Sequence, residues 1–254
     1  MSRQKKEKIF HVGSLNIQAG LSTHSYKDYL TKSWHHVSPL AKSKNKNILD
    51  IAQLVNHLDI FGVQELDPGS VRSGFSNQAS NMALHAGFDH YAYQANRSTG
   101  LSVTANGLFS KHPFESLHNE KLPSRKSAVS PRGVLIAKIS MGDMPKFDLA
   151  IAVAHLSLNS FDREKQVERI VSLLKEEENV ILMGDFNDDP LSKSLKCLKN
   201  NMDGHTTGCT FPRWNPSKCL DSIWWRGVDV LSENIQTWGA SDHCGVDIKF
   251  KAKK

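Results

Sequence analysis

Short apolar runs bounded by polar residues recur along the chain, a pattern that is typical of buried β-strands. The clearest run covers residues 180–183, where four consecutive apolar side chains are followed by Gly184, a residue type that commonly ends a strand. Other β-rich runs predict further strands. These runs cover residues 9–18, 59–64, 91–93, 105–110, 133–139, 147–154, 220–225 and 245–250.

Helices are predicted where apolar residues recur at i, i+3, i+4 and i+7, because this spacing places them on one helix face. Two segments show it, and residues 78–87 and 190–202 are also expected to be helical. The apolar positions are Ile48, Ile51, Ala52 and Val55 in the first segment and Val167, Ile170, Val171 and Leu174 in the second. Asn159 and Ser160 precede the second segment and are typical of a helix N-terminus.

The mixture of many strands with a few helices predicts one α+β domain, built in layers, that spans residues 1–254. Residues 19–47 are polar, rich in lysine and longer than an ordinary connection. We therefore expect an insertion or a partly helical loop there, which contains Trp34, His35 and His36.

Composition is that of a soluble globular protein, with 254 residues of which 39% are hydrophobic and 23% charged. No apolar run approaches the roughly 20 residues that span a bilayer, and no signal-type segment follows the basic start. The net charge of +6 suggests nucleic acid, but residues 1–8 carry +3 and residues 249–254 carry +4. The charge therefore belongs to two basic tails and does not identify a substrate.

The cysteines are too few and too irregularly spaced to predict a disulfide framework. They are Cys197, Cys209, Cys219 and Cys244, and no two of them form a C-x-x-C pair. We therefore expect reduced thiols and a soluble, cytoplasmic protein. A zinc site made of these cysteines and nearby histidines is rejected, because the spacing fits no usual zinc pattern.

Acidic, amide and imidazole side chains lie at the ends of several predicted strands, where a rigid sheet can hold reactive groups accessibly. These residues are Asn16, Glu65, His155, Asp185, Asn187, Asp221, Asp242 and His243. Taken alone, each could be an ordinary turn or core residue. In an extended backbone Asp185 and Asn187, two residues apart, would point to the same side. Such a pair could take a proton from water and stabilise a negative oxygen.

Seven short motifs follow one another along nearly the whole chain. They are LNIQ at 15–18, VQE at 63–65, NGLFS at 106–110, AHL at 154–156, GDFN at 184–187, LDSI at 220–223 and SDH at 241–243. Together they resemble the endonuclease/exonuclease/phosphatase superfamily of deoxyribonuclease I-like and exonuclease III-like enzymes. GDFN and SDH are the most specific motifs, and the runs Thr210-Phe211-Pro212 and Pro131-Arg132-Gly133 resemble the small bacterial members.

The resemblance implies a four-layer α/β/β/α sandwich, in which two mixed β-sheets lie face to face with helices outside. It also implies a divalent-metal-dependent hydrolase of phosphoric esters, with its site at one end of the sheets. Glu65 would hold Mg²⁺ or Mn²⁺, helped by Asn16 and Asp242, since these ions prefer oxygen ligands.

The same resemblance assigns the remaining chemistry. Asp185 would orient and deprotonate the attacking water, and Asn187 and His155 would donate to the phosphorus centre. Asp221 would hold His243 as an imidazolium, because a nearby carboxylate favours the charged form.

Substrates in this superfamily are set by loops rather than by the shared chemistry. We expect Asn106 and Arg132 to bind the substrate. As the substrate we favour a phosphodiester in DNA or RNA, because basic and aromatic residues that could contact nucleic acid are available. They are Lys121, Arg125, Lys126 and Arg132 in one loop, which could equally be solvated surface, and Arg213-Trp214 in another.

Three alternatives stay open. A phosphodiesterase acting on lipid headgroups would need an exposed apolar patch, whereas Trp224-Trp225 lies on a predicted strand and is expected in the core. No residue excludes a phosphomonoesterase. A non-catalytic binding module is disfavoured because every expected catalytic position is filled, and we expect a monomer.

Overall fold

The described part of the chain forms two mixed β-sheets of six strands each. The computed structural model describes residues 8–23, 25, 41–125, 131–141 and 147–253. The strands are β1 (Phe10–Asn16), β2 (Ile60–Leu66), β3 (His90–Thr99), β4 (Ser102–Ser110), β5 (Phe114–Lys121), β6 (Gly133–Met141), β7 (Phe147–His155), β8 (Val180–Asp185), β9 (Gly204–His205), β10 (Asp221–Arg226), β11 (Val228–Gln236) and β12 (Gly245–Ala252). The α-helices among the described residues are α1 (Ala41–Val55), α2 (Gln78–Ala86), α3 (Ser160–Leu174) and α4 (Lys196–Asn201).

Strand order brings the ends of the central strands together. The first sheet has the order β11-β12-β1-β2-β4-β3, and the second has the order β5-β6-β7-β8-β10-β9. One central pair in each sheet is parallel, β1 with β2 and β7 with β8. Because parallel strands end at the same edge and β1 packs against β8 across the sheets, the polar residues at these ends share one region.

Apolar side chains form three cores among the described residues. The inner core lies between the sheets and includes Ile60 and Leu108 from the first and Ile151 and Met183 from the second. One outer core joins α1 and α2 to the first sheet, and the other joins α3 and α4 to the second. The α/β/β/α sandwich expected from the sequence is therefore confirmed.

The two sheets approach closely at Gly62 of β2. A methyl group added there would lie 2.4 Å from Sδ of Met183 and 3.0 Å from Cγ2 of Val153, both in the opposite sheet. Glycine at this position therefore lets β2 pack against β7 and β8, three residues before Glu65.

The strongly periodic helices form as predicted. The four predicted apolar positions of α1 are fully buried: Ile48, Ile51, Ala52 and Val55. Asn159 caps α3 by accepting hydrogen bonds from the backbone N–H groups of Phe161 and Asp162. The helix expected over residues 190–202 is shorter, since only α4 is α-helical and Lys193–Leu195 forms a 3-10 turn.

Three strands, β5, β9 and β11, were not expected. Each lies at the edge of a sheet, and β5 and β11 leave most of their side chains partly or fully exposed. β9 has only two residues. Edge strands lack the continuous apolar run on which the sequence-based prediction depends.

Several expected segment boundaries need correction. Residues 249–252 belong to β12, so the basic tail expected over residues 249–254 is wrong for most of its length. α1 begins at Ala41, inside the expected insertion 19–47, and the buried Lys44 donates from Nζ to the backbone oxygen of Arg72. The N-terminal tail up to residue 7, the histidine pair of the insertion with Trp34, and Lys126 lie outside the described residues.

Cys209 and Cys219 form a disulfide, while Cys197 and Cys244 are free. The expectation that all four cysteines are reduced is therefore wrong for this pair. Their spacing matches no standard motif, and it is the local backbone pairing that brings them together. Among the described residues, no helix has the length and apolar character needed to cross a membrane.

Candidate active site

A cleft of about 330 Å³ opens where the ends of β1, β2, β7 and β8 meet. Eight of the ten site residues expected from the sequence line this cleft. They are Asn16, Glu65, Arg132, His155, Asp185, Asn187, Asp242 and His243. Of the other two, Asp221 lies directly behind His243, and Asn106 is buried between the sheets.

Asp185 is the last residue of β8 and receives hydrogen bonds from two sides. Asn16 donates from Nδ2 to its Oδ2 at 3.0 Å, and the backbone N–H of Asn187 donates to its Oδ1 at 3.0 Å. The strand register places His155 on one side of it and Asp221 on the other. The carboxylate is thus fixed in orientation at the floor of the cleft.

The pKa of Asp185 is raised to about 7, first because the carboxyl is buried and second because the charge of Asp221 is close. The nearby His243 and the hydrogen bond from Asn16 act in the opposite direction but do not cancel this effect. A carboxylate with a pKa near neutrality can accept a proton from water effectively at physiological pH.

His243 is buried, and the carboxylates around it favour the charged form of its imidazole. Burial by itself would lower its pKa, but the carboxylates of Asp221, Asp185 and Asp242 together raise the pKa to about 10. Its Nδ1 donates to Oδ2 of Asp221 at 2.7 Å, and its Nε2 lies 4.0 Å from Oδ2 of Asp185. The expected imidazolium held by Asp221 is consistent with this geometry.

Thr210 completes this arrangement. Its buried hydroxyl donates to the same Oδ2 of Asp221 at 2.5 Å, while the backbone N–H of Asp221 donates back to the hydroxyl at 3.2 Å. Oδ2 of Asp221 therefore receives two hydrogen bonds, which fix its position against His243.

His155 differs from His243 although both imidazoles are buried beside Asp185. The pKa of His155 is lowered well below its usual value, first by burial and then by the charges of Arg132 and His243. Its Nε2 lies 3.4 Å from Oδ2 of Asp185. We therefore treat this pair as a neutral imidazole next to a carboxyl rather than as an ion pair.

Asn187 does not lie in an extended backbone. β8 ends at Asp185, and Asn187 has φ of 54°, in the left-handed region. The expectation that the two side chains share a side because of strand alternation is therefore wrong. Asn187 still lines the cleft, and its Nδ2 donates to the backbone oxygen of Leu156 at 2.9 Å.

Glu65 and Asp242 face the cleft from the first sheet and the SDH motif. The pKa of Asp242 is raised to about 6, mainly by burial, with the nearby Glu65 also raising it. A buried carboxylate and a half-buried one with repelling charges suit a hard divalent cation, which binds oxygen ligands and would relieve the repulsion. The donor set therefore fits Mg²⁺ or Mn²⁺.

Asn16 and Gln18 orient these carboxylates. Asn16 donates from Nδ2 to Oε1 of Glu65 at 3.2 Å as well as to Asp185, and its Oδ1 accepts from the backbone N–H of Gln18. Gln18 donates from Nε2 to Oδ2 of Asp242 at 3.0 Å. In this arrangement the amide nitrogen of Asn16 faces the acids, so its role as a direct metal ligand stays a prediction.

A second group of three residues could also bind a metal ion. Ligand atoms of Asp185, Asp221 and His243 all lie within 4.8 Å of one another. However, an imidazole that carries both protons offers no lone pair to a metal. While His243 stays protonated, this group is better suited to holding charge than to coordinating a cation.

Arg132 and Asn106 occupy different positions. Arg132 lines the cleft, and its Nε has no hydrogen-bond partner among the described residues. Burial lowers its pKa, whereas the charges of Asp185 and Glu65 act against this lowering. Asn106 donates from Nδ2 to the backbone oxygen of Gly133 at 2.9 Å, which ties the first sheet to the start of β6 beside Arg132.

Several residues of the site were not assigned by sequence reasoning. Gln18 and Thr210 belong to runs that carry the family resemblance, but no signal in the sequence shows what they contact. Five side chains join the expected ones in the cleft wall without having been expected there. They are Gln18, Leu158, Phe211, Lys218 and Leu220.

A family model described as the Endonuclease/Exonuclease/phosphatase family matches residues 13–243. A comparison with curated protein sequences gives no match. Solved structures with the same fold include an endonuclease/exonuclease/phosphatase family protein from Bacteroides thetaiotaomicron. It has a TM-score of 0.71 and 17% identity, and the match covers 98% of this chain and 100% of that one.

Two further similar structures have named activities. One is ANGEL2, a 2′,3′-cyclic phosphatase in complex with adenosine-2′,3′-vanadate, with a TM-score of 0.69, 14% identity and coverage of 98% of this chain and 97% of that one. The other is the mannosyl-6-phosphatase Bt3783 of Bacteroides thetaiotaomicron, with a TM-score of 0.62, 18% identity and coverage of 95% and 99%. At these identities the likeness concerns the fold.

Proposed function

The chain belongs to the endonuclease/exonuclease/phosphatase family, and from this we propose that it is a divalent-metal-dependent phosphoesterase. The observation that carries the proposal is Asp185, a buried carboxyl with a pKa of about 7 that lies between the neutral His155 and the charged His243. Members of this family generally hydrolyse phosphoester bonds. The match over residues 13–243 also supports a single domain.

We propose in-line attack of water on a phosphodiester. Glu65 and Asp242 would hold Mg²⁺ or Mn²⁺, which supplies polarisation of the phosphoryl oxygen and stabilisation of the leaving oxygen. Asp185 orients the attacking water and accepts its proton. Because the hydrogen bond from Asn16 fixes Oδ2 of Asp185, the acceptor is already positioned before the substrate binds.

The other side chains compensate the negative charge of the substrate. His243 presents an imidazolium whose Nε2 is free to face the phosphate, because Nδ1 is bound by Asp221. Arg132, which also lines the cleft, offers guanidinium donors, and His155 and Asn187 add neutral donors. Fixed donors in a buried site stabilise the charge that develops at phosphorus.

For the substrate we favour DNA or RNA. Arg132, Lys218 and the ring of Phe211 line the cleft, and this combination suits a phosphate next to a base. The similar fold of a 2′,3′-cyclic phosphatase that binds an adenosine compound is compatible with this choice. A phosphomonoester is an alternative substrate, because the mannosyl-6-phosphatase has a similar fold.

A lipid headgroup is the second candidate, and one observation favours it. Leu158 lines the cleft yet is 78% exposed, and Phe161, three residues further along the chain, is 58% exposed. Exposed apolar side chains at a cleft mouth are what a lipid-acting enzyme needs.

The cytoplasmic location and the monomeric state stay predictions, and the Cys209–Cys219 disulfide argues against a reducing compartment.

A substrate panel tests the proposal. Purified protein would be assayed with Mg²⁺, Mn²⁺ or chelator against bis(4-nitrophenyl) phosphate, a phosphomonoester, DNA, RNA and sphingomyelin. We expect metal-dependent cleavage that disappears in Asp185→Ala and persists in the control Asp148→Ala, an exposed carboxylate at the far end of β7. Equal activity in Asp185→Ala and wild type would refute the proposal.

The same panel separates the candidate substrates. Lipid headgroup release without nucleic-acid cleavage would reverse our preference. Nucleic-acid binding should weaken steeply as salt is raised, because phosphate contacts release counterions. If the protein binds the metal ion and a substrate of the panel but does not turn the substrate over, a non-catalytic binding module would be favoured instead.

A further inference from the structure

The segment from Cys209 to Cys219 is a small hairpin, which we call the disulfide hairpin. Phe211 and Lys218 form an antiparallel bridge in which each backbone N–H donates to the other residue's carbonyl oxygen, at 3.0 and 2.9 Å. The backbone N–H of Thr210 also donates to Lys218 at 2.9 Å. The disulfide between Cys209 and Cys219 closes the open end of the hairpin, next to this pairing.

One face of the disulfide hairpin contacts the reactive groups directly. Thr210, adjacent to Cys209, donates its hydroxyl to Asp221, which holds His243. The ring centroids of Phe211 and His243 are 4.8 Å apart. Lys218, adjacent to Cys219, lines the cleft. The residues next to both cysteines are therefore parts of the site.

The disulfide hairpin also holds the backbone of the SDH motif. The N–H of Arg213 donates to the carbonyl oxygen of Asp242 at 2.7 Å, and its Nε donates to that of Ser241 at 2.7 Å. The N–H of Cys244 donates to the carbonyl oxygen of Thr210 at 2.8 Å. Asp242 and His243 thus lie where two backbone hydrogen bonds join this part of the chain to the disulfide hairpin, one donated by Arg213 and one accepted by Thr210.

We propose that the Cys209–Cys219 disulfide is a redox switch of the active site, with the oxidised form as the active one. The inference rests on the proposed function, since it describes how that site is regulated. A disulfide that closes a short loop constrains mainly that loop, and here the loop positions Asp221, Asp242 and His243. Breaking it lets Thr210 leave Asp221 and loosens the two bonds to the SDH motif.

The chemistry of switching needs only a dithiol. A thiolate of the dithiol attacks one sulfur of the disulfide, the S–S bond breaks, and the second thiol then releases the mixed disulfide. Two electrons and two protons pass to the protein, which gains two thiols, while the dithiol becomes a disulfide. Thr210 acts here as a positioning residue because it reaches the phosphate only through Asp221 and His243.

The first measurements do not depend on activity. Thiol labelling after denaturation should detect only Cys197 and Cys244 in the untreated protein, and all four cysteines after dithiothreitol. On reduction, hydrogen exchange at the N–H groups of Arg213 and Cys244 should become about tenfold faster, because local opening becomes easier. The N–H of Ile151, in the centre of β7, should be unchanged.

Turnover is measured on the same samples with bis(4-nitrophenyl) phosphate and Mn²⁺. We expect kcat to fall by about tenfold on reduction. This is the lower end of the loss of activity that follows when a hydrogen-bond partner behind a catalytic residue is removed. Oxidation should restore it. The variant Cys209→Ser/Cys219→Ser should behave as the reduced protein and ignore dithiothreitol, whereas the control Cys197→Ser should respond as wild type does.

Three outcomes would overturn the switch: four reactive thiols before reduction, unchanged exchange at Arg213 and Cys244, or unchanged turnover in an active enzyme whose exchange does become faster. If the double variant does not fold, dithiothreitol treatment and reoxidation of the wild type decide the question. No turnover in either state would reject the proposed function, while thiol counts and exchange would still report on the disulfide hairpin.

Discussion

Nδ1 of His243 donates to Oδ2 of Asp221 at 2.7 Å, and both side chains are buried. This bond fixes the orientation of the imidazole and directs Nε2 towards the cleft. It also explains the charge of the ring, since Asp221 is the carboxylate that contributes most to raising the pKa of His243 to about 10. The pair can therefore be tested by removing only the charge of Asp221.

Asp221→Asn should lower kcat by about 10²–10⁴-fold, because a buried amide beside a catalytic imidazole neither stabilises its charge nor fixes its tautomer. The pKa of His243 should fall from about 10 towards its ordinary value, since its largest favourable partner is lost. Steady-state kinetics and NMR titration of the imidazole measure the two effects. Asp148→Asn, on the exposed end of β7, is the matched control.

Loss of turnover in Asp221→Asn without any change in the titration of His243 would contradict this account. It would mean that the Asp221 side chain acts only through its hydrogen bond with the Thr210 hydroxyl. Thr210→Val separates the two cases further, since it keeps the charge of Asp221 but removes one hydrogen bond to Oδ2.

Asp185→Asn should stabilise the chelated protein at alkaline pH. The folded pKa of Asp185 is about 7, above the ordinary value of 3.8, so ionisation is less favourable in the folded state. Its contribution to stability is therefore greatest below pH 3.8 and is lost as the pH rises to about 7. At pH 8 the variant should be more stable than the wild type by up to about 4 kcal/mol, as measured by denaturant unfolding.

The gain of Asp185→Asn should shrink towards zero below pH 4, where the wild-type carboxyl is protonated as well. Equal stabilities at pH 8 would show that burial does not penalise this charge. The variant should also be inactive, so stability and activity change in opposite directions, as they do where a buried charge serves catalysis.

Mg²⁺ or Mn²⁺ should raise the melting temperature of the wild type, because the ion binds the folded state only. At a metal concentration 100 times the Kd, the stabilisation is about 2.7 kcal/mol, or roughly 5–10 °C for a protein of this size. Glu65→Gln should abolish most of this shift by removing a charged ligand. Scanning calorimetry with and without metal measures it.

The control for the metal prediction is Glu115→Gln, which changes an exposed carboxylate of β5. Asp242→Asn should reduce the shift as Glu65→Gln does. If the shift survives both variants and disappears in Asp221→Asn, the ion binds the group formed by Asp185, Asp221 and His243 instead.

The sequence predicts the buried strands and the polar residues that follow them, because each strand end is marked locally. The ends of β7 and β8 place His155 and Asp185 side by side through the strand register, so their meeting follows from the fold class. Edge strands such as β11 are missed because exposure removes the apolar pattern.

The supporting contacts are harder to predict because they join distant parts of the chain. Gln18 and Asp242 are 224 residues apart, and nothing in either local sequence indicates their hydrogen bond. Thr210 reaches Asp221 only because the disulfide hairpin folds back on β10. Asn187 was assigned to the correct cleft for the wrong geometric reason, since its φ of 54° ends the strand alternation.

Arg132→Lys should raise KM for a phosphodiester by about tenfold and change kcat less. Lysine keeps the charge but lacks the planar fork that binds two phosphate oxygens, and one lost charged hydrogen bond costs about 1.5 kcal/mol or more. Arg125→Lys is the matched control, because Arg125 lies nearby in the chain but pairs with Asp162 at 3.2 Å. Steady-state kinetics over a wide substrate range separate KM from kcat. An unchanged KM in Arg132→Lys, or an equal rise in the control, would remove Arg132 from the substrate site.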